Sequence, residues 1–384
     1  MIYLDHNATS PLRPEARAAM ERALDVGGNP SSVHAAGRAA RAAIEEARDT
    51  VAAFAGASSG EVIFTSGGAE SNALALRGAI AGAAEVEDRI TRLFVVATAH
   101  DSVRAVAASL AETTPGLKLY EIAVDANGRI DRDAFRLQLM SGKGRALVSL
   151  VYVNNESGVI DDIAGLSKLV RTEAGDAALI HVDAVSSGYC PINFRKWGVD
   201  YLSLSAHKIG GPQGVGALIV KVDVPLAPLF NGFQEMRRRG GTENLSGIAG
   251  FAAAIRTFEL NRDAEIARVV SIRDRFESKL GAAAIFARDA ERAPNTSSFA
   301  FLGLPAETAL MALDLDGICV SSGAACSSGK VGRSHVLAAM GVPGETARCV
   351  LRVSFGWNSA AEDADAAIAS LEKLIARVAA RKAA

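Results

Sequence analysis

The sequence predicts an α/β fold, with a mostly parallel sheet covered by helices and a second, smaller domain. Apolar runs typical of buried strands alternate with helix-like segments, which is the pattern of a parallel sheet. The chain has 384 residues, more than one hydrophobic core usually serves. Polar or glycine residues follow each strand-like run. Because ligands bind at the carboxyl edge of open α/β sheets, we expect one site at that edge.

The predicted strands of the sheet share this pattern of an apolar run with a polar end. They cover residues 61–65, 93–97, 146–153, 178–182 and 201–204. The polar residues at or just after their ends include Ser66, His100, Asn155, Asp183 and Ser205. Five strands directed at one edge are better evidence for a site than any single motif.

Two helical segments organise the rest of the chain. Apolar residues recur at helical spacing within residues 38–54, which predicts a packed amphipathic helix. A charged helical stretch over residues 257–280 connects the sheet to the smaller domain. We therefore predict a large domain over residues 15–258 and a small domain formed by residues 1–14 and 259–384.

Composition excludes several classes of protein. A net charge of −2, with 49% hydrophobic and 22% charged residues, is typical of a globular enzyme and offers no basic footprint for nucleic acid. No uncharged apolar run approaches the roughly 18 residues of a membrane span. The N-terminus lacks the features of a signal peptide, so we expect a cytoplasmic protein without membrane contact. The four cysteines show no C-x-x-C spacing, and we expect neither disulfides nor a resident metal.

Asp183 and Lys208 carry the most specific chemical signal. They stand 25 residues apart, each close to the end of a strand-like run. A lysine can form a Schiff base with an aldehyde, and a carboxylate can keep a pyridine nitrogen protonated. A carboxylate in so apolar a strand also needs a cationic partner, which a pyridinium would provide. The pair indicates pyridoxal 5′-phosphate (PLP).

A phosphate group of that cofactor would need its own site. Ser66 to Ala69 form a Ser-Gly-Gly-Ala turn between a strand and a probable helix start, where free N–H groups attract anions. Such turns more often merely connect two elements. The presence of Ser205, His207 and Lys208 in the same chain favours the phosphate interpretation.

Three further residues have both a functional and a structural interpretation. His100 could stack on a pyridine ring and move protons, but a lone histidine is more often structural. Arg352 could bind the carboxylate of an amino acid through its two-pronged guanidinium, or form a structural ion pair. Cys326 lies among small, polar residues, which suits a nucleophile that carries a group away better than a core cysteine.

Taken together, these motifs resemble the cysteine desulfurases of the class V aminotransferase group, in particular the NifS/IscS-like branch. The resemblance spans nearly the whole chain. Its motifs lie at residues 2–9, 28–32, 64–71, 152–158, 181–184, 205–212 and 239–244, and at Cys326 and Arg352. It implies the PLP-dependent transferase fold type I, with a seven-stranded sheet in the large domain and a smaller α+β domain.

The resemblance also assigns roles. Lys208 would bind PLP, His100 would stack on its ring as acid and base, and Asp183 would pair with its nitrogen. The groups that would hold the phosphate are Ser205, His207 and the backbone of Gly68 and Ala69, with Thr242 reaching the phosphate of the other subunit of a homodimer. Asn155 would lie near the cofactor's phenolic oxygen and the substrate carboxylate, which Arg352 would bind.

Several positions depart from the family pattern. Ala69 stands where a phosphate-binding threonine is usual, and Ala73 where an asparagine is common. Ser186 replaces a glutamine that normally hydrogen-bonds the phenolic oxygen, and Asn231-Gly-Phe233 replaces three glycines. Each lost hydroxyl contact costs on the order of 1 kcal/mol. These changes bear on cofactor affinity more than on reaction type.

The implied activity is removal of sulfur from L-cysteine, with release of L-alanine and formation of a persulfide on Cys326. A sulfur acceptor or an iron–sulfur scaffold protein would take the sulfur, and Cys326 would contact a cluster only transiently. Two alternatives stay open: a class V aminotransferase or selenocysteine lyase, and a sulfur-relay or scaffold partner without PLP chemistry. Only the desulfurase requires the thiol of Cys326 together with Lys208.

Overall fold

The computed structural model describes residues 1–322 and 334–383. Its strands are β1 Ile2–Tyr3, β2 Val62–Thr65, β3 Ile90–Val96, β4 Lys118–Ile122, β5 Arg145–Val151, β6 Leu179–Asp183, β7 Tyr201–Ser205, β8 Gly216–Val220, β9 Ala284–Ile285, β10 Thr296–Ala300, β11 Ile318–Cys319, β12 Ser321–Ser322 and β13 Val350–Ser354. Its α-helices are α1 Pro14–Asp25, α2 Ala35–Ala55, α3 Gly68–Glu85, α4 Asp101–Thr113, α5 Arg132–Met140, α6 Ile163–Ala174, α7 Phe194–Trp197, α8 Leu245–Ser278, α9 Ala306–Leu315, α10 His335–Ala339, α11 Gly344–Ala347 and α12 Ala361–Ala383.

The largest sheet has seven strands in the order β2-β8-β7-β6-β5-β3-β4. Strands β7, β6, β5, β3 and β4 run parallel, whereas β8 is antiparallel to both of its neighbours. The predicted mostly parallel sheet is therefore confirmed. The parallel order brings the ends of β3, β5, β6 and β7 to one edge, because parallel strands end on the same side.

The core of this sheet forms because its strands are apolar on both faces. Strands β2, β6, β7 and β8 are buried along their whole length, as expected for strands covered by helices on both sides. Helix α2 packs against this core through Ile44, Ala47 and Val51. The amphipathic helix predicted over residues 38–54 is thus part of a 21-residue helix.

A second group of strands forms two smaller sheets. Strands β12, β13, β10 and β9 make an antiparallel four-stranded sheet, and β1 pairs with β11 in parallel. Phe299 of β10 and Leu351 of β13 belong to a separate apolar cluster that also includes residues of α12. The boundaries proposed above for the two domains stay a prediction.

Helix α8 connects the two apolar clusters. It is 34 residues long, with Phe251 in the cluster of the large sheet and Phe276 in the cluster of the smaller sheets. It begins earlier than the sequence predicted, since the side chain of Asn244 accepts a hydrogen bond from Gly247 N–H and caps it. In the described part of the chain, no helix is long and apolar enough to cross a membrane.

The N-terminal segment joins the smaller sheets to the edge of the large sheet. Strand β1 pairs with β11, and Asp5 forms a bridge with Ser354 of β13. Further along, Ser10 N–H donates to the carbonyl of His207, which follows β7. The segment between these anchors therefore passes the carboxyl edge of the large sheet.

Candidate active site

A cavity of about 300 Å³ lies at the carboxyl edge of the large sheet. It unites most of the side chains and backbone groups that the sequence singled out. Its wall includes Gly68, Ala69, His100, Asn155, Asp183, Ser186, His207, Lys208 and Arg352. Residues more than 280 positions apart thus meet in one volume, which is large enough for a small organic ligand.

Lys208 lies in a short 3₁₀ turn directly after β7. Its ammonium group donates hydrogen bonds to the carbonyl of Asn7 at 2.5 Å and to that of Ala8 at 3.1 Å. The N-terminal segment therefore holds the amine at the cavity. Both of these acceptors are neutral backbone carbonyls.

Asp183 is the last residue of β6 and is 6% exposed. Its Oδ1 accepts a hydrogen bond from Val185 N–H at 3.0 Å, and its Oδ2 accepts one from Asn72 Nδ2 at 2.9 Å. The sequence led us to expect a cationic partner for this carboxylate. Both of these hydrogen-bond donors are neutral, so neither of them is that partner. A cationic ring in the cavity would complete the surroundings of this carboxylate.

His181 lies beside Asp183, two residues earlier on the same face of β6. It is fully buried, and its two ring nitrogens lie 2.9 Å from Ser149 Oγ and 3.0 Å from Ser203 Oγ. Burial lowers the pKa of His181 to about 4, although the charge of Asp183 acts in the opposite direction. A neutral imidazole therefore supports the strand from which Asp183 projects.

Groups suited to an anion surround the start of α3. Gly67, which precedes this 18-residue helix, has a φ of 149°, a conformation that favours glycine. Ser205 Oγ lies 4.0 Å from where a Cβ at Gly67 would stand, and this buried oxygen has no hydrogen-bond partner within the described residues. A helix N-terminus beside a hydroxyl without a partner in the described residues has the groups that an anion site would need.

His207 completes this end of the cavity. Its Nδ1 lies 3.1 Å from Thr9 Oγ1. Burial, and then the neighbouring charge of Lys208, lower the pKa of His207 to about 4. The imidazole is therefore neutral near pH 7 in the absence of an anion.

Arg352 lies on β13 and is 2% exposed. Its Nη2 donates to Asp5 Oδ1 at 2.6 Å and its Nη1 to the carbonyl of Asn155 at 3.0 Å. The ion pair that the sequence left open as an alternative is therefore present. Nε is buried without a partner in the described part of the chain. Arg352 also lines the cavity, and its guanidinium has more N–H donors than the bonds to Asp5 and Asn155 use.

His100 is the N-cap of α4, and its Nδ1 accepts a hydrogen bond from Ser102 N–H at 3.1 Å. Ser102 Oγ lies 2.9 Å from the same nitrogen. The ring is thus held at the start of the helix while the residue lines the cavity.

Comparison with known proteins identifies the family. The pattern described as Aminotransferase class-V matches residues 2–367. The chain belongs to this class-V aminotransferase family. Within it, the chain is 38% identical to a cysteine desulfurase IscS of Dictyoglomus turgidum, over 98% of this chain and 95% of that protein. It is 42% identical to a cysteine desulfurase of Cereibacter sphaeroides, over 94% and 92%.

A solved structure of a NifS-like protein has the same fold as this class-V chain. The TM-score is 0.90, with 30% sequence identity and coverage of 98% of this chain and 99% of the other. The fold type I and the resemblance to the NifS/IscS-like branch, both predicted from the sequence, are confirmed.

Among the described residues with a predicted functional role in this class-V chain, Ser205 and Thr242 are not part of the cavity wall. Thr242 is exposed and is not part of the wall of its own chain's cavity. Cys326 lies outside the described residues, so its predicted role stays a prediction. Within the described ranges, no group of three His, Cys, Asp or Glu side chains converges on a metal site.

Sequence reasoning missed several residues of the site. Asn72 follows Gly68 by four positions, so it lies one turn along the same face of α3, and this spacing was a usable signal. Ser102 follows His100 by two positions, where a helix start brings side chains together. Asp5 and Asn7 carried no such signal, because their contacts with Arg352 and Lys208 depend on the path of the N-terminal segment.

Proposed function

We propose that this protein is a cysteine desulfurase, which removes sulfur from L-cysteine, releases L-alanine and holds the sulfur as a persulfide on Cys326. The observation that carries the proposal is that an amine, a buried carboxylate and a buried guanidinium (Lys208, Asp183 and Arg352) line one cavity. Membership of the family and identity of 38–42% with named cysteine desulfurases support it.

The groups at the cavity fit PLP. The unused hydroxyl of Ser205, the start of α3 and His207 suit a phosphate. Asp183, with neutral donors on both oxygens, suits a pyridinium, and Lys208 offers an amine to an aldehyde. When bound, PLP would supply an electron-withdrawing ring that stabilises negative charge next to the α-carbon of an amino acid.

The remaining roles follow from chemistry and position. Arg352 would bind the substrate's α-carboxylate with donors that Asp5 and Asn155 leave available. Lys208 would take the proton from the α-carbon, and His100 and Lys208 are the candidates to return a proton to the product. Asn155 and Ser186 line the same wall and are the candidates to hydrogen-bond the cofactor's phenolic oxygen.

The thiolate of Cys326 would attack the sulfur atom of the substrate. A sulfur–sulfur bond forms as the carbon–sulfur bond of the substrate breaks, and the carbon skeleton takes up a proton and leaves as L-alanine. The atoms balance without any further oxidant or reductant. A sulfur-acceptor or iron–sulfur scaffold protein would then take the outer sulfur from Cys326.

The test is a Cys326→Ala variant assayed for alanine and sulfide from L-cysteine. We expect it to retain the absorbance of bound PLP and to make almost no sulfide. Cys319→Ala is the matched control and should retain turnover. Full turnover of the Cys326 variant would contradict the proposal and favour a class V aminotransferase, whose chemistry needs no thiol. Absence of bound PLP from the wild-type protein would favour a relay or scaffold role.

We further propose a homodimer in which Thr242 reaches the cofactor phosphate of the partner subunit. Thr242 is exposed in its own chain, and it lies in the same part of the sequence as Phe230 and Phe233, which are 57% and 81% exposed. Exposed aromatic side chains are typical of surfaces that a partner covers. The cytoplasmic location stays a prediction from the sequence.

A further inference from the structure

An unbroken series of hydrogen bonds connects Asp183 to His100. Asp183 Oδ2 lies 2.9 Å from Asn72 Nδ2. The same nitrogen of Asn72 lies 3.0 Å from Ser102 Oγ, which in turn lies 2.9 Å from His100 Nδ1. The series crosses from β6 through α3 to the first turn of α4. We infer that Asn72 and Ser102 are positioning residues that fix the neutral His100 ring with its hydrogen on Nε2.

The carboxylate of Asp183 determines which atoms in this series donate hydrogen bonds and which accept them. An ionised carboxylate only accepts hydrogen bonds, so the amide nitrogen of Asn72 must face Asp183. That nitrogen carries two hydrogens, one for Asp183 Oδ2 and one for Ser102 Oγ. Asn72 is 1% exposed, and within the described residues its Oδ1 has no partner. The amide thus keeps this orientation even though its own oxygen is unpaired.

The hydroxyl of Ser102 lies between Asn72 and His100 and takes a defined role toward each. Its hydroxyl oxygen accepts from Asn72, which leaves the hydroxyl hydrogen for the acceptor 2.9 Å away, His100 Nδ1. The backbone N–H of Ser102 donates to the same nitrogen at 3.1 Å. A backbone N–H is always a donor. Two donors therefore converge on Nδ1.

A ring nitrogen that faces two donors carries no hydrogen. In a neutral imidazole the hydrogen is then on the other nitrogen, Nε2. This makes His100 a donor through Nε2 and not a base through that atom. This assignment of roles rests on the proposed function. Within that function, His100 would return a proton to the product and Lys208 would act as the base.

The series contains two residues outside the roles that the family resemblance assigned. Neither Asn72 nor Ser102 needs to touch substrate to act, since both work through the orientation of Asp183 and His100. A merely structural serine would not control which ring nitrogen of His100 carries the hydrogen. That distinction can be measured directly.

The experiment is nitrogen NMR of PLP-loaded protein with ¹⁵N-labelled histidine rings, with the His100 signals assigned through a His100→Asn variant. We expect an unprotonated Nδ1 and a protonated Nε2 in the wild-type protein. Ser102→Ala should shift the Nδ1 signal, because the nitrogen loses one of two donors. Ser102→Thr retains a hydroxyl and should restore the wild-type signal.

Turnover provides the second measurement. Ser102→Ala should lower kcat by on the order of 10- to 100-fold, as found for outer partners of metal-binding histidines, with KM for L-cysteine little changed. Ser109→Ala is the matched control: Ser109 Oγ also links α4 to α3, through Arg77 Nη2 at 3.2 Å. It should change neither the His100 signals nor kcat.

A hydrogen on Nδ1 in the wild-type protein would overturn the inference, and so would an unchanged Nδ1 signal in Ser102→Ala. Neither measurement of the ring needs turnover. Wild-type protein with the expected ring signals but no sulfide production would therefore contradict the proposed function and leave the positioning by Ser102 intact.

Discussion

Asp5 and Arg352 are 347 positions apart in the chain, yet Asp5 Oδ1 lies 2.6 Å from Arg352 Nη2. The arginine side chain is 3% exposed and the aspartate 19%. A guanidinium this deeply buried needs its partner, because removing one member of a buried pair leaves an uncompensated charge. The N-terminal segment is thereby part of the site.

Asp5→Ala should lower the free energy of unfolding of the cofactor-free protein by about 3 kcal/mol, since Arg352 would remain buried without its carboxylate. Chemical denaturation would measure the change. Glu46→Ala removes the partner of Arg256 in an exposed pair and should cost at most about 1 kcal/mol. If the two substitutions lowered the free energy of unfolding equally, the buried pair would contribute no more to stability than the exposed pair, which would contradict this prediction.

Arg352→Lys should raise KM for L-cysteine about 10- to 100-fold, because a charged hydrogen bond is worth about 1.5–3 kcal/mol and lysine lacks the fork. Bound PLP should be retained. Steady-state kinetics would measure the change, with Arg348→Lys as an exposed control on the neighbouring turn. An unchanged KM would contradict the assignment of Arg352 to the substrate carboxylate.

Much of the site could be predicted because buried parallel strands have a simple sequence pattern, an apolar run with polar residues at its carboxyl end. Asp183 and Lys208 come at the ends of apolar runs, and the parallel order of β6 and β7 then forces them to one edge. The same reasoning brought His100 and Asn155 to that edge. Periodicity and strand ends, which are local, were sufficient for these residues.

Other features could not be read locally. Strand β8 is an apolar run like its neighbours, and nothing in such a run indicates that it pairs in the antiparallel direction. Strand β4 is an edge strand with two exposed charged residues, Lys118 and Glu121. It therefore lacks the continuous apolar run by which other strands of the sheet were predicted. The contact of Asn72 with Asp183 depends on the packing of a helix against a strand end, which no single segment specifies.

Ser205→Ala should separate cofactor binding from stability. Ser205 is 4% exposed and its Oγ has no partner in the described residues, so losing the hydroxyl should leave the cofactor-free protein as stable as before or up to about 1 kcal/mol more stable. The Kd for PLP should rise about tenfold if this hydroxyl donates to the phosphate. Absorbance titration and thermal unfolding would measure both quantities.

Ser203→Ala is the control for this substitution on the same strand. Ser203 Oγ is bonded to His181 Nε2 at 3.0 Å, so its loss should destabilise the protein with little effect on the Kd for PLP. If Ser205→Ala behaved in the same way as Ser203→Ala, Ser205 would be a structural residue and not part of the phosphate site.

Glu156→Gln should change how stability depends on pH. Burial raises the pKa of Glu156 from 4.5 to about 7, while its hydrogen bond from Ser334 Oγ at 2.6 Å and the charge of Arg352 act in the opposite direction. The folded state therefore holds this proton more tightly than the unfolded state. Its contribution to stability is complete below pH 4.5 and is lost as the pH rises through 7.

The glutamine is neutral at every pH, so the variant should match the wild type below pH 4.5 and become relatively more stable above pH 7. Thermal unfolding of both proteins across this range would measure the difference. The raised pKa of Asp161, also about 7, affects both proteins equally and cancels. A difference in Tm that does not vary with pH would contradict this account.

Mixed dimers should reveal whether Thr242 serves the other subunit. Thr242→Asp would place a carboxylate against the phosphate of PLP, so we expect this homodimer to bind PLP poorly, while Lys208→Ala should be inactive for lack of its amine. A dimer with one chain of each kind combines the intact Lys208 of one chain with the intact Thr242 of the other, in one site. Activity should therefore appear on mixing two inactive proteins.

If Thr242 acted within its own chain, neither site of the mixed dimer would be complete, and mixing would restore no activity. Thr172→Asp, at an exposed position of α6, controls for the added charge and should remain active by itself.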